Sequence, residues 1–297
     1  MHIPVLKEKV LEYLNPQKND HFIDCTLGNG GHTFALLERT APKGKILALE
    51  QDPDAIARVK AQSATSKMKN RLVLVQENFV HVKEVAQKEK FKPVKGILFD
   101  LGLSSEQLQE SNRGFSFQKK EPLDMRYNPK NPLLAEKIVN YWSRQDLERI
   151  LKEYGEEQFA SEIAQAIVET RTTKGQIIKT NQLVDIILQA TPKWYHKKKI
   201  NPATKTFQAL RIAVNNELQN LKEALPQSLE ILEPEGKLAV ISFHSLEDRI
   251  VKNFINNNTS LKPLTKKAII ASFEEQKRNP RSRSAKLRVG IKVTAQP

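Results

Sequence analysis

Short unbroken apolar runs alternate with amphipathic stretches over the first third of the chain. His21-Phe22-Ile23-Asp24-Cys25-Thr26 predicts a strand that stops at a glycine cluster, and Thr33 to Leu37 opens a helix. Lys45 to Glu50 predicts a second strand. A helix follows from Pro53, with Asp52 placed to cap it ahead of a proline suited to the first turn. Leu72 to Val75 and Lys95 to Leu101 predict a third and a fourth strand. Strands alternating with helices in this way imply a parallel sheet covered on both faces.

The rhythm changes after about Gln107. Helical periodicity marks Leu133–Trp142, Gln145–Tyr154, Phe159–Arg171, Asn181–Ala190 and Ala203–Leu221, with Ser143 as a cap signal. Pro192 to Lys199 predicts a basic, aromatic loop. The strand pattern returns at Glu235–His244, followed by a helix over Leu246–Ile255 and a strand-like run from Lys286 to Val293. The reading is one doubly wound α/β domain, residues 1–108 with 218–297, interrupted by an all-helical insertion over 109–217.

Composition narrows the class. The chain has 297 residues, 39% of them hydrophobic and 28% charged, enough for a packed core. No apolar run approaches the length of a membrane span, and the start, Met1 to Glu8, lacks an apolar signal region. A lone cysteine, Cys25, has no internal disulfide partner. Together these predict a cytoplasmic protein without membrane contact. Lys and Arg exceed Asp and Glu by 48 to 34, a net charge of +14, which points to a polyanionic partner such as nucleic acid. No His, Cys, Asp or Glu grouping has metal-ligand spacing, so no metal is expected. The oligomeric state stays open, with a homodimer among the alternatives.

The loop Asp24-Cys25-Thr26-Leu27-Gly28-Asn29-Gly30-Gly31-His32-Thr33 joins the first strand to the first helix, where glycines let a backbone approach a ligand. A dinucleotide loop would need glycine where Thr33 stands. An acid at the strand end, Asp24, suits an ammonium better than a pyrophosphate. Glu50 ends the second strand 22 residues after Gly28, where a carboxylate can take both hydroxyls of a ribose. Phe79 follows the third strand and Asp100 ends the fourth. Such polar strand ends are also common in purely structural turns; their conjunction over four strands favours a cofactor crevice.

The ordered motifs resemble the ribosomal RNA small subunit methyltransferase H family. They are His2-Ile3-Pro4-Val5-Leu6, Gly28-Asn29-Gly30-Gly31-His32, Asp100 to Leu108, Arg113-Gly114-Phe115-Ser116-Phe117, Pro122-Leu123-Asp124-Met125-Arg126, Lys205 to Ile212, Ser242 to Arg249 and Asn279 to Arg288. The resemblance covers essentially the whole chain. It implies a Rossmann-like class I SAM-dependent methyltransferase sheet with the helical insertion as substrate-recognition domain. It also implies S-adenosyl-L-methionine (SAM) as cofactor and methylation of the exocyclic N4 of a decoding-region cytidine of 16S rRNA in the small ribosomal subunit. The cofactor contacts it implies are Gly28, Gly30, Gly31, His32, Glu50, Phe79, Asp100 and Gln107. The family usually has aspartate where Glu50 stands, a difference of one methylene.

A weakly nucleophilic cytosine amine needs orientation, acceptors near the methyl and a route for one proton. Asp100 and the Ser104 hydroxyl are candidate acceptors, although Asp100 also suits the methionine end of the cofactor. His244 could receive the proton or could simply order its strand–helix turn. Asp124 and Arg126 could read a base edge or a phosphate, or pair with each other. Arg113 and Phe115 could grip and stack a base, or belong to the core. Arg281 and Arg283, in a run with Lys286 and Arg288, suit phosphate contacts. The lysines of 193–199 suit them as well, or form a solvated loop.

Overall fold

In the computed structural model, which describes residues 4–64 and 68–293, the chain divides into two compact units. One is Met1–Gly102 with Leu218–Pro297, the other Leu103–Glu217. In chain order the elements begin α1 (Lys7–Leu14), β1 (Phe22–Asp24), α2 (Gly31–Arg39), β2 (Ile46–Glu50), α3 (Pro53–Ala64), β3 (Leu72–Gln76), α4 (Val82–Lys88) and β4 (Gly96–Asp100). The helical unit holds α5 (Ser105–Gln109), α6 (Ala135–Tyr141), α7 (Arg144–Glu153), α8 (Ala160–Thr173), α9 (Thr180–Ala190), α10 (Lys193–His196) and α11 (Ala203–Asn215). The chain then continues with α12 (Glu217–Ile231), β5 (Lys237–Ser242), α13 (Ser245–Asn257), β6 (Leu261–Pro263), α14 (Phe273–Arg278) and β7 (Lys286–Lys292).

The first unit is built on a seven-stranded sheet in the order β3-β2-β1-β4-β5-β7-β6. The first five strands are parallel, and β7 runs antiparallel to both β5 and β6. The inner strands read as continuous apolar runs because both faces are covered. Period-two alternation sorts their side chains: Ile23, Leu47, Leu49, Ile97, Phe99, Leu238 and Val240 join α4, α12 and α13 in one core. Phe22, Ile46, Leu98, Ala239 and Ile241 join α1, α2 and β7 on the other side. Of β2 and β4, only the last residues, Glu50 and Asp100, are partly exposed. From β1 the chain winds outward to β3 and returns to place β4 on the other side of β1. That reversal puts the topological switch point at the carboxyl ends of β1 and β4, where open sheets leave a crevice for ligands.

The helical unit has its own core, drawn from α6, α7, α8, α9 and α11 and from the segment Phe115–Tyr127. Asp52 and Ser143 cap their helices as expected, accepting from the amides of Asp54 and Asp146. Two expectations need correction, and one element is new. The helix read over Ala203–Leu221 is two, broken at Asn216, whose backbone is left-handed at φ 50°. The loop read at 192–199 contains the turn of helix α10. The edge strand β6 was not foreseen: it is three residues long, ends in proline and buries one side chain.

Candidate active site

The glycine loop is held from both strands beside it. Asp24, at the end of β1, is 1% exposed; it accepts from the Thr33 hydroxyl at 2.6 Å and from the Thr26 amide at 3.1 Å. Thr33, the residue that breaks the dinucleotide pattern, thus fixes the strand-end acid. Gly28 and Gly30 have φ of 51° and 77°, a region where a side chain is strained. The Leu27 amide donates to the Leu49 carbonyl, tying the loop to β2. The glycines also have steric reasons of their own. A Cβ on Gly30 would lie 2.7 Å from Cε2 of Phe34, and one on Gly31 would run into Cγ of Pro4. Both missing side chains would meet neighbouring side chains, so packing is a second reason for these glycines beside the ligand approach expected from the sequence.

Glu50 does more than end a strand. Its Oε2 accepts from the Gly28 amide at 2.9 Å, and its Oε1 accepts from Gln51 and Asp52 at 2.8 and 3.0 Å. Burial raises its pKa, opposed by those three backbone donors. A carboxylate offers about four acceptor positions, so Oε2 keeps one for a ligand. Beside it, the Asn78 amide donates to Gln51 Oε1 and its oxygen accepts from the Val80 amide. Phe79 packs edge-on to Phe99 with centroids 5.5 Å apart and stays partly exposed.

At the end of β4, the Asp100 amide donates to the Thr26 hydroxyl at 2.6 Å, which joins the two strand ends of the switch point. Oδ2 of Asp100 lies 3.5 Å from Nε2 of His32, an ion-pair separation. Burial pulls the His32 pKa down, but Asp100, Asp24 and the Val5 carbonyl outweigh it, so the pKa is raised. Burial likewise raises that of Asp24, against its bond from Thr33. Neither Nε2 of His32 nor Oδ1 of Asp100 has a hydrogen-bond partner among the described residues. Such buried orphans are rare unless a ligand or water completes them. Two acids and an open acceptor at the switch point fit an ammonium, and Glu50 fits a hydroxyl. The residues therefore suit SAM.

His244 is the N-cap of α13: its Nδ1 accepts from the Glu247 amide at 3.4 Å, and its own amide donates to the Glu247 carboxylate. Nε2 faces Oε1 of Glu247 at 3.2 Å. Nδ1 is thus engaged in ordering the strand–helix turn, while Nε2 is buried without a hydrogen-bond partner among the described residues. Sequence reasoning missed Glu247, although the spacing His244-x-x-Glu247 is that of a capping box.

In the helical unit, Ser104 and Gln107 close a capping box on α5, with the Ser104 hydroxyl accepting from the Gln107 amide and the Gln107 side chain accepting from the Ser104 amide. Arg113 donates to the carbonyls of Arg126 and Tyr127. Phe115 is 5% exposed and stacks on Tyr127 at 5.7 Å, a core position that corrects its reading as a base platform. Arg126 binds Asp124 bidentately at 2.7 and 2.9 Å and spends further donors on the carbonyls of Pro129 and Asn131. The mutual pair is thus the arrangement present. In the tail, Lys286 and Arg288 both bind Asp248 and are no longer candidate phosphate contacts. Arg281 is partly buried and already has an intramolecular contact; Arg283 is exposed and makes no polar contact among the described residues.

Residues 1–293 match the model of the MraW methylase family. The chain belongs to the MraW methylase family. Among its relatives, the "Ribosomal RNA small subunit methyltransferase H" of Heliobacterium mobile is 46% identical, with 98% of this chain and 99% of that one aligned. The protein of the same name from Persephonella marina is 44% identical over 98% and 99% of the two chains. A solved rRNA methylase from Streptococcus thermophilus superposes with a TM-score of 0.47 at 10% identity, over 99% of this chain and 100% of that one. As an MraW methylase, the chain is a SAM-dependent methyltransferase. Among the described residues no helix is long and apolar enough to cross a membrane.

Proposed function

We propose that this chain methylates the exocyclic N4 of a decoding-region cytidine in 16S rRNA, acting in the cytoplasm on the small ribosomal subunit. The near full-length relation to proteins named for small-subunit rRNA methylation carries this reading. Bound SAM supplies an electrophilic methyl group, so the chain's own work is orientation and electrostatics. The loop from Gly28 to His32 cradles the cofactor, and Glu50 receives the ribose through its remaining Oε2 position. Phe79 borders the adenine. Asp100 takes the ammonium, its buried Oδ1 being without a partner among the described residues, with Asp24 adding charge behind it. His32 holds Asp100 in place from the opposite oxygen. The helical unit reads the RNA.

The test supplies labelled SAM and small subunits purified from cells lacking the gene. The reading predicts label in 16S rRNA that Asp100→Asn abolishes. Label absent with a SAM-binding wild-type protein would overturn the substrate; absent SAM binding would overturn the cofactor site.

A further inference from the structure

The basic segment at α10 takes no part in the cofactor site, yet it is the most exposed aromatic feature of the helical unit after Tyr141. Trp194 is 55% exposed and Ile200 60%. Isolated apolar residues at the surface need no explanation, but a fixed, exposed indole is unusual on a protein with no use for it. Trp194 is fixed from below. Tyr195 is buried, and its hydroxyl donates to the carboxylate of Glu157 at 2.9 and 3.1 Å. Glu157 is itself 3% exposed and also accepts from the Phe159 amide. Phe159 meets Tyr195 edge-on at 5.0 Å, and both meet the Trp194 ring, at 5.7 and 6.0 Å. A buried acid thereby locks one ring, and two rings brace the exposed one.

Cations surround that ring. Lys193, Lys197, Lys198 and Lys199 are all exposed. Nζ of Lys198 lies 5.0 Å from the centroids of both Trp194 and Tyr195. None of the four forms an ion pair among the described residues, whereas Lys152 and Arg144 of the same unit are paired with Glu148. Unpaired lysines around a braced aromatic face match the needs of a single-stranded nucleic acid: stacking for a base and charge for the flanking phosphates. A protein partner fits less well, because lysine is depleted from the centres of protein interfaces.

We propose that Trp194, with Lys193, Lys197, Lys198 and Lys199, forms an RNA-docking subsite that stacks one unpaired base of the substrate RNA. The inference rests on the rRNA reading above and adds a place of contact to it. Lys198 caps part of the indole in the free protein and turns to a phosphate when a base arrives.

The test uses the full-length protein carrying Trp142→Phe, so that Trp194 is the sole tryptophan. Single-stranded oligouridylate is the first probe and gene-deletion small subunits the second. Oligouridylate should quench Trp194 fluorescence. Trp194→Ala should weaken subunit binding on the order of 5- to 100-fold, with Trp194→Phe recovering most of it. Lys197→Glu with Lys199→Glu should flatten the salt dependence. SAM affinity and melting temperature should hold in every variant. Unchanged subunit affinity in folded Trp194→Ala would overturn the subsite. So would unchanged RNA affinity accompanied by altered self-association, which would make the patch a protein interface. A wild-type protein that methylates no rRNA condemns the rRNA reading instead, and quenching by oligouridylate is still scored separately.

Discussion

Gly31→Ala is the perturbation that best separates packing from ligand approach in the glycine loop. Gly31 is the first residue of α2, where alanine is conformationally acceptable and gains roughly 0.5–1 kcal/mol of helix preference. Its new Cβ would meet the Pro4 ring: Cγ well inside 3.0 Å, with Cδ at 3.3 Å and Cβ at 3.4 Å. Overpacking of this kind costs about 1–3 kcal/mol. The net expectation is a loss of up to about 2.5 kcal/mol. Pro4→Ala removes Cγ and Cδ and leaves only the 3.4 Å contact, which is ordinary. In that background Gly31→Ala should be neutral or stabilising by up to about 1 kcal/mol, so the sign of the effect changes. Denaturant unfolding of the four proteins in the cycle, followed by circular dichroism, gives the coupling. Calorimetry with SAM on the same proteins gives the second readout, and affinity should return in the double variant because the Cβ points at Pro4. Equal destabilisation in both backgrounds would refute the packing argument. Restored stability with affinity still lost would return the glycine to the ligand.

Three further outcomes are expected. Glu50→Ala should cost about 2 kcal/mol of stability, since three amides lose a charged acceptor at a partly exposed position. Against the wild-type protein, a 2′-deoxy analogue of S-adenosylhomocysteine should bind about tenfold more weakly than the parent; against Glu50→Ala the two should bind alike, and persistence of the gap in calorimetry excludes Glu50 from the ribose. Because the folded pKa of His32 is raised, its pairing with Asp100 stabilises fully below the unfolded value of about 6.5 and is lost as pH rises through the folded value. The stability gap between wild type and His32→Gln should therefore narrow with rising pH; a constant gap contradicts the charged pair. Arg281→Glu with Arg283→Glu should weaken RNA binding and its salt slope and leave SAM affinity unchanged, and wild-type RNA behaviour in the folded double variant removes these residues from the interface.

The parallel sheet was legible because burial on both faces forces continuous apolar runs, and an acid ends each of β1, β2 and β4. These acids, Asp24, Glu50 and Asp100, mark the carboxyl ends of their strands. What the pattern hid is side-chain commitment. Phe115 and a surface phenylalanine look alike in sequence, yet Tyr127 covers its face. Asp124 and Arg126 could have faced outward, and a bidentate pair within three residues consumes them. The break at Asn216 had a signal, since asparagine tolerates the left-handed region and Asn215-Asn216 interrupts an otherwise strong helix former run. Strand β6 had none, because an edge of three residues has neither alternation nor length.

The central claim is the identity of the methylated atom. Nucleosides from 16S rRNA of cells with the gene, without it, and with an Asp100→Asn copy should be compared by mass spectrometry against authentic standards. The account predicts N4-methylcytidine in the first sample alone, mapping to one decoding-region cytidine. N4-methylcytidine at equal level in all three, or a gene-dependent methyl group on carbon 5 or on the ribose, would contradict it.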